Sequence, residues 1–288
     1  MAADLEAVAD ERRLLAQAAG ENFPVASRVL PAPVRSHLMA IYGFARLVDD
    51  VGDEAPGDRL ALLDEVEREL DVLFEGGRSP RPVMDRLGGT IRRFSLPRDP
   101  FLRLIEANRR DQTVDRYESF DQLLGYCELS ANPVGHLVLL VLRVASPRRV
   151  DWSDAICTGL QLTEHWQDVA EDAKRGRVYL PQEDLRRFGV TEEELLGTRP
   201  APAFRRLMAF EVDRARALLS RGLPLASDLG GRAGFAVAAF VAGGRAALRA
   251  IEGARYDVLS GPPRASSAGR TAALAGTLLQ ARVWRGSS

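Results

Sequence analysis

The stretch Ala45-Arg-Leu-Val-Asp-Asp-Val-Gly-Asp-Glu54 begins as an apolar helix and then sets four acidic residues into positions 49–54. Alone, it reads as a solvated helix face. A second stretch, Gln167-Asp-Val-Ala-Glu-Asp172, repeats the D-x-x-x-D spacing and weakens that reading. Residues i and i+4 of an α-helix project from nearly one face. Asp49 and Asp53 therefore share one stripe, Asp168 and Asp172 share another, and Glu164 lies one turn before Asp168. Like charges at that spacing destabilise a helix by about 0.2–0.5 kcal/mol unless something neutralises them. Mg²⁺ would do so, because it favours carboxylate, water and phosphate oxygens. Ile41, Phe44, Leu47 and Val48 precede the first stripe, while Leu160, Leu162, Trp166 and Val169 surround the second. These apolar neighbours favour stripes set into a helical bundle. Facing each other there, they could hold a metal cluster around one diphosphate.

Further polar groups fall near the same faces. Arg46 precedes Asp49 by three residues and Tyr42 lies one turn earlier, offering a guanidinium and a hydroxyl to carboxylate or phosphate. An ordinary surface ion pair is the alternative. After Asp172, the run Lys174-Arg-Gly-Arg-Val-Tyr-Leu-Pro181 is a basic, glycine-broken helix exit. It places Arg177 and Tyr179 to cap a phosphate, although a basic helix C-terminus also matches the helix dipole.

Composition narrows the classes. The 288 residues are 46% hydrophobic, enough for a substantial core. A formal net charge of −1 argues against a general nucleic-acid binder. From Gly231 onward, eight Arg stand against Glu252 and Asp257, so the C-terminal end is basic and suits diphosphates or an anionic membrane surface. Cys127 and Cys157 give no disulfide framework, and the scattered His37, His136 and His165 give no zinc spacing. The acidic N-terminus has no signal-peptide pattern. The longest apolar run, Gly234–Gly243, is about half the ~20 residues that cross a bilayer. These features predict a cytoplasmic protein, with peripheral contact at the inner membrane face left open.

Helical periodicity fills almost every segment between proline- or glycine-marked breaks: Arg35–Asp49, Asp58–Phe74, Asp99–Arg110, Phe120–Leu129, Val134–Val144, Asp154–Ala173, Ala203–Leu225 and Gly234–Ile251. No alternating run is long enough for a sheet. The expected fold is all-α, a single domain over 1–288 with its core at about 20–260.

At these residues the chain resembles the squalene/phytoene synthase family. The resemblance takes in Glu21–Ser27, Leu30-Pro31, Tyr42–Asp53, Asp111 before Arg116-Tyr117, Tyr126-Cys127, Val134-Gly135, Gln161–Thr163, Asp168–Asp172 and Gly176–Pro181. It implies an isoprenoid-synthase helical bundle with a central cavity. There a cluster of about two or three Mg²⁺ ions ionises an allylic or cyclopropylcarbinyl diphosphate. Carried onto this sequence, it makes Asp49, Asp53, Asp168 and Asp172 the catalytic Mg²⁺ ligands, joined by Glu164. Tyr42, Arg46, Gln161, Arg177 and Tyr179 become diphosphate contacts, and Arg264 either closes over the diphosphate or sits in a solvated loop. Asp50, one residue off the stripe, would reach metal through water. Phe23, Phe44, Val134, Leu137, Leu160 and Trp166 become cavity walls. An apolar wall keeps stray nucleophiles from the cation.

Glu21–Ser27, Ser130–Gly135 and Trp166-Gln-Asp168 resemble the HpnC branch of bacterial hopanoid pathways. That branch implies hydroxysqualene synthase activity: presqualene diphosphate loses diphosphate, its cyclopropane opens and water quenches the cation. No NADPH is expected, and no G-x-G-x-x-G fingerprint occurs. The chain departs from the family pattern at Glu164, usually Asn, and at His165, usually apolar. Gln167 stands where many relatives carry Arg, and Gly244 where tyrosine is frequent. A complete head-to-head squalene or phytoene synthase and a non-catalytic diphosphate-binding paralogue are the alternatives. The expected partners are a prenyl diphosphate substrate and no nucleic acid, with neighbouring enzymes of the squalene pathway left open.

Overall fold

The structure, a computed structural model, describes residues 29–285, with side chains as far as 282. The expected wall residue Phe23 and the landmark Glu21–Ser27 lie outside these. Among the described residues there are thirteen helices and no strand; Arg116 and Val178 form one isolated parallel bridge. Packing divides the chain into two compact units, Met1–Thr113 with Glu128–Val150, and Val114–Cys127 with Asp151–Ser288.

The first unit is built on α1 (Ala32–Asp53), packed by α2 (Arg59–Phe74), α3 (Pro82–Phe94), α4 (Asp99–Arg110) and α6 (Asn132–Val141). Leu38, Ile41, Phe44, Leu47, Val48 and Val51 recur every three or four residues along α1 and are buried, the spacing of one apolar stripe. Phe44 meets Phe101 of α4 edge-to-face at 5.3 Å between ring centroids. The boundaries follow from local chemistry. Proline stands in the first turn of α1, α3, α4 and α6, where its missing N–H costs nothing. Asp58 caps α2 by accepting from the Ala61 N–H at 3.1 Å.

α5 (Phe120–Ser130) and the long α7 (Pro147–Lys174) each begin in one unit and continue into the other. The second unit adds α8 (Gln182–Phe188), the short α9 (Glu192–Leu195), α10 (Pro202–Gly222), α11 (Pro224–Leu229), α12 (Gly231–Gly253) and α13 (Ser267–Arg285). α12 packs on α10, α11 and α13. It extends the apolar run read from sequence to a 23-residue helix, long and apolar enough by length and composition to cross a membrane. Within that helix, 56% of the most apolar window is buried against protein, so core packing accounts for its apolar content. Trp166 of α7 is fully buried, and its indole N–H donates to the Glu211 carbonyl of α10 at 3.1 Å.

α7 and α10 approach closely where a side chain is missing. A Cβ at Gly222 would sit 2.4 Å from Ile156 Cγ1 and 2.5 Å from the Trp152 carbonyl oxygen. The carbonyl belongs to a helix backbone and cannot swing aside. Gly222→Ala is therefore expected to cost about 2 kcal/mol through overpacking, and to lower the melting temperature by about 5 °C, as read by circular dichroism. An unchanged melting temperature would contradict this contact.

Candidate active site

In the first unit, Asp49 and Asp53 stand on the last turns of α1 with exposed side chains. Asp50 turns the other way and is 1% exposed, with Arg46 Nη2 at 2.8 Å from its Oδ1. This departs from the sequence expectation on two counts. Arg46 makes a close ion pair with Asp50, four residues on, and Asp50, expected to reach metal through water, is buried against Arg46. The reason is geometric, since i+4 lies more nearly above Arg46 than i+3 does.

Asp49 has a partner from outside its own helix. Asn108 of α4 donates from Nδ2 to Asp49 Oδ1 at 3.0 Å. One turn later, Gln112 donates from Nε2 to the Gly52 carbonyl at 3.0 Å and to the Asn108 carbonyl at 2.9 Å. Although water reaches its side chain, the protein packed around the Asp49 carboxyl removes part of its hydration and pushes it up to about 6. The Asn108 hydrogen bond and the Arg46 charge work against that rise, whereas Asp53 and Asp50 add to it. Of the other expected residues here, Tyr42 and Val134 are half-buried, and Phe44 and Leu137 are fully buried.

In the second unit, Asp168 and Asp172 are half-buried on α7 and Glu164 is exposed. Burial pushes the Asp168 carboxyl up to about 6, with Asp172 and Glu171 adding to it and Arg175 and Arg264 opposing it. Gln167 donates to the Pro263 carbonyl at 2.6 Å. That bond ties the Gly-Pro-Pro turn to α7 and brings the Arg264 charge to bear on Asp168. The turn is thus held, although Arg264 itself is exposed.

His165, 7% exposed, is the centre of an aromatic cluster. Its ring stacks on Tyr179 at 3.7 Å between centroids and 18° between planes. Tyr126 and Tyr117 pack around the same Tyr179 ring at 5.8 and 5.9 Å. Gln161 Nε2 lies 3.1 Å from His165 Nε2, and His165 Nδ1 lies 4.0 Å from Asp172 Oδ2. An amide N–H donating to Nε2 leaves the imidazole proton on Nδ1, toward Asp172. Arg177 donates its backbone N–H to the Asp172 carbonyl at 2.9 Å. With His165, Asp172 and Tyr179 it lines a niche of about 10 Å³, room for about one water.

The donor sets suit Mg²⁺, being carboxylate oxygens that water can reach. Among the described residues, no three His, Cys, Asp or Glu side chains converge tightly enough to enclose a metal. Mg²⁺ does not demand such a cage, because it is usually held by one or two carboxylates, retained waters and substrate phosphate.

A family model described as squalene/phytoene synthase matches residues 16–270. The chain belongs to the squalene/phytoene synthase family. It is 36% identical over 220 residues to a phytoene synthase of Arthrospira platensis, covering 71% of each chain. It is also 36% identical over 215 residues to a hydroxysqualene synthase of Rhodopseudomonas palustris, covering 73% of this chain and 71% of that one. The crystal structure of squalene synthase HpnC from Alicyclobacillus acidocaldarius is similar with a TM-score of 0.79 and 42% identity, over 88% of this chain and 95% of that one. The resemblance read from sequence therefore holds, as does the all-α isoprenoid-synthase fold. This family member is an enzyme that acts on prenyl diphosphates.

In this family member, the sequence motifs single out Asp49, Asp53, Asp168 and Asp172 as candidates but not the groups packed around them. Asn108 and Gln112 fall outside both motifs. The available signal is two amides four residues apart, Asn108 on the face of α4 that carries Phe101, Leu104 and Ile105, and Gln112 in the turn that follows the helix. In the sequence Tyr117 and Tyr126 are family landmarks, and their contact with Tyr179 depends on segments distant in sequence.

Proposed function

We propose that this enzyme converts presqualene diphosphate to hydroxysqualene in a Mg²⁺-dependent reaction. The observation that carries the finer reading is the 36% identity to the hydroxysqualene synthase of Rhodopseudomonas palustris, together with the resemblance of Ser130–Gly135 and Trp166-Gln-Asp168 to the HpnC branch. The hydroxysqualene synthase of Sinorhizobium fredii, at 34% identity, supports it. So does Gln167, a neutral amide committed to the Pro263 carbonyl at a position where many relatives carry a cation.

When bound, Mg²⁺ would supply Lewis-acid stabilisation of the departing diphosphate. Asp49 and Asp53 on α1, and Asp168, Asp172 and Glu164 on α7, would hold it. Tyr42 and Arg46 in the first unit, and Gln161, Arg177 and Tyr179 in the second, are proposed to bind diphosphate oxygens by hydrogen bonds and charge. The carbon–oxygen bond breaks with its electron pair going to diphosphate, the cyclopropane opens, water oxygen adds to the cation, and the released proton goes to diphosphate. This half-reaction consumes no reductant, and none is proposed as a cofactor.

A second reading, condensation of two prenyl diphosphates by a complete synthase, is favoured by the phytoene synthase of Arthrospira platensis at 36% identity. Product analysis separates the two. Purified protein with Mg²⁺ and without NADPH is given presqualene diphosphate and farnesyl diphosphate separately. Hydroxysqualene from the first and no C30 product from the second is the expected outcome. A C30 product from farnesyl diphosphate alone would establish the complete synthase instead.

A further inference from the structure

We propose that Asn108 is a positioning residue for the first aspartate stripe, fixing the Asp49 carboxylate for Mg²⁺ and diphosphate; this rests on Asp49 as a Mg²⁺ ligand. Asn108 is 7% exposed on a helix face otherwise filled by Phe101, Leu104 and Ile105. A buried amide is costly there unless its hydrogens are used. Its Nδ2 reaches Asp49 Oδ1 at 3.0 Å and the Leu104 carbonyl at 3.3 Å. The first of these bonds crosses from α4 to α1 and engages one carboxylate oxygen.

Gly52 makes the approach possible. A Cβ at that position would lie 2.1 Å from Asn108 Oδ1 and 2.9 Å from its Cγ. The glycine inside the acidic run thus leaves space for the amide, three residues past the carboxylate it holds. Gln112 repeats the arrangement one turn on, bracing the Gly52 carbonyl and the Asn108 carbonyl together. Two neutral amides therefore bracket the end of α1 on which Asp49 and Asp53 stand.

Neutrality matters to the chemistry. An arginine in the place of Asn108 would orient the carboxylate equally well, yet would cancel the charge that attracts Mg²⁺. An amide fixes the rotamer and leaves that charge in place. Partners of this kind typically change metal affinity or activity by about 10–100-fold when removed.

The test measures the Mg²⁺ concentration that half-saturates binding of inorganic diphosphate to the full chain, by calorimetry, with metal-free melting temperature recorded alongside. Asp49→Asn serves as the reference. Asn108→Leu, which keeps the volume and removes the donor, is expected to raise the midpoint about 10–100-fold. Gly52→Ala keeps the amide but displaces it, so it should shift the midpoint in the same direction, and it carries the test should Asn108→Leu not fold. A midpoint within twofold of the parent in either folded variant, even with a lowered melting temperature, would reduce Asn108 to a packing role and overturn the proposal. An unmoved midpoint in Asp49→Asn would overturn the assignment of Asp49 as a ligand, and the positioning role with it.

Discussion

Asp168→Asn is expected to lower prenyl diphosphate turnover by about 10²–10³-fold, the usual loss when one stabiliser of developing charge is removed, while raising the metal-free melting temperature. The two effects share a cause. Asp168 lies on α7 one turn before Asp172, with Glu171 beside it, and burial and these neighbours push its carboxyl up to about 6. An ordinary aspartate titrates near 4, so the ionised form is held in the fold at a cost. Because the side chain is only half-buried, screening reduces that cost to about 1 kcal/mol. Asparagine relieves it, worth about 2–4 °C of melting temperature for a chain of this size. The same charge is what Mg²⁺ would use, so adding Mg²⁺ should stabilise the parent more than the variant. Turnover within tenfold of the parent, in a folded variant, would remove Asp168 from the metal site.

The second large effect concerns a carboxyl outside the aspartate motifs. Glu211 of α10 is fully buried, and its Oε1 lies 3.2 Å from Arg214 Nη1, which also bonds Asp184 of α8. The Arg214 guanidinium sits 4.2 Å from the ring centroids of both Phe120 and Phe210. One cation therefore serves two buried carboxyl groups between two aromatic faces. Burial pushes the Glu211 carboxyl up to about 8, Arg214 opposes the rise, and Asp184 adds to it.

The folded chain keeps a proton on Glu211 that the unfolded chain releases near pH 4.5. Stability from this group is complete below that pH and is lost as pH rises through about 8. The loss is on the order of 3 kcal/mol. Glu211→Gln removes the titration, so its melting temperature should fall much less than the parent's between about pH 5 and about pH 9. Equal falls would show that Glu211 does not carry the pH dependence. Arg214→Ala should be destabilised at every pH, because it leaves two buried carboxyls without their cation, a change that costs about 3–5 kcal/mol.

The all-α fold was legible because its signals are local. Proline in the first turn of α1, α3 and α4, and the three-or-four-residue recurrence of Ile41, Phe44, Leu47, Val48 and Val51, state helix and buried face in the chain itself. The aspartate stripes were legible for the same reason. The i,i+4 spacing fixes which carboxylates share a face before any packing is known.

Contacts between segments were not legible in this way. Only packing around α1 sets which of its acids is buried: Asp50 turns inward, with Arg46 Nη2 2.8 Å from its Oδ1, while Asp49 stays exposed. Trp166, expected on a cavity wall, is fully buried, and its indole N–H donates to the Glu211 carbonyl, a partner 45 residues on that sequence spacing does not announce. His165 looked like a departure beside the second motif; the stacked face of Tyr179, fourteen residues on, gives it a place.

The sequence by itself determined the helical class, the two carboxylate stripes and the family, since each is written in residue identity at fixed short spacing. Tertiary structure alone decided what surrounds those carboxylates: Asn108 and Gln112 against α1, Tyr179 and Tyr126 around His165, and Pro263 tied to Gln167. The physical reason is that a hydrogen bond or ring stack needs two groups within a few ångströms. Sequence spacing guarantees that within a helix turn, and only packing supplies it across tens of residues.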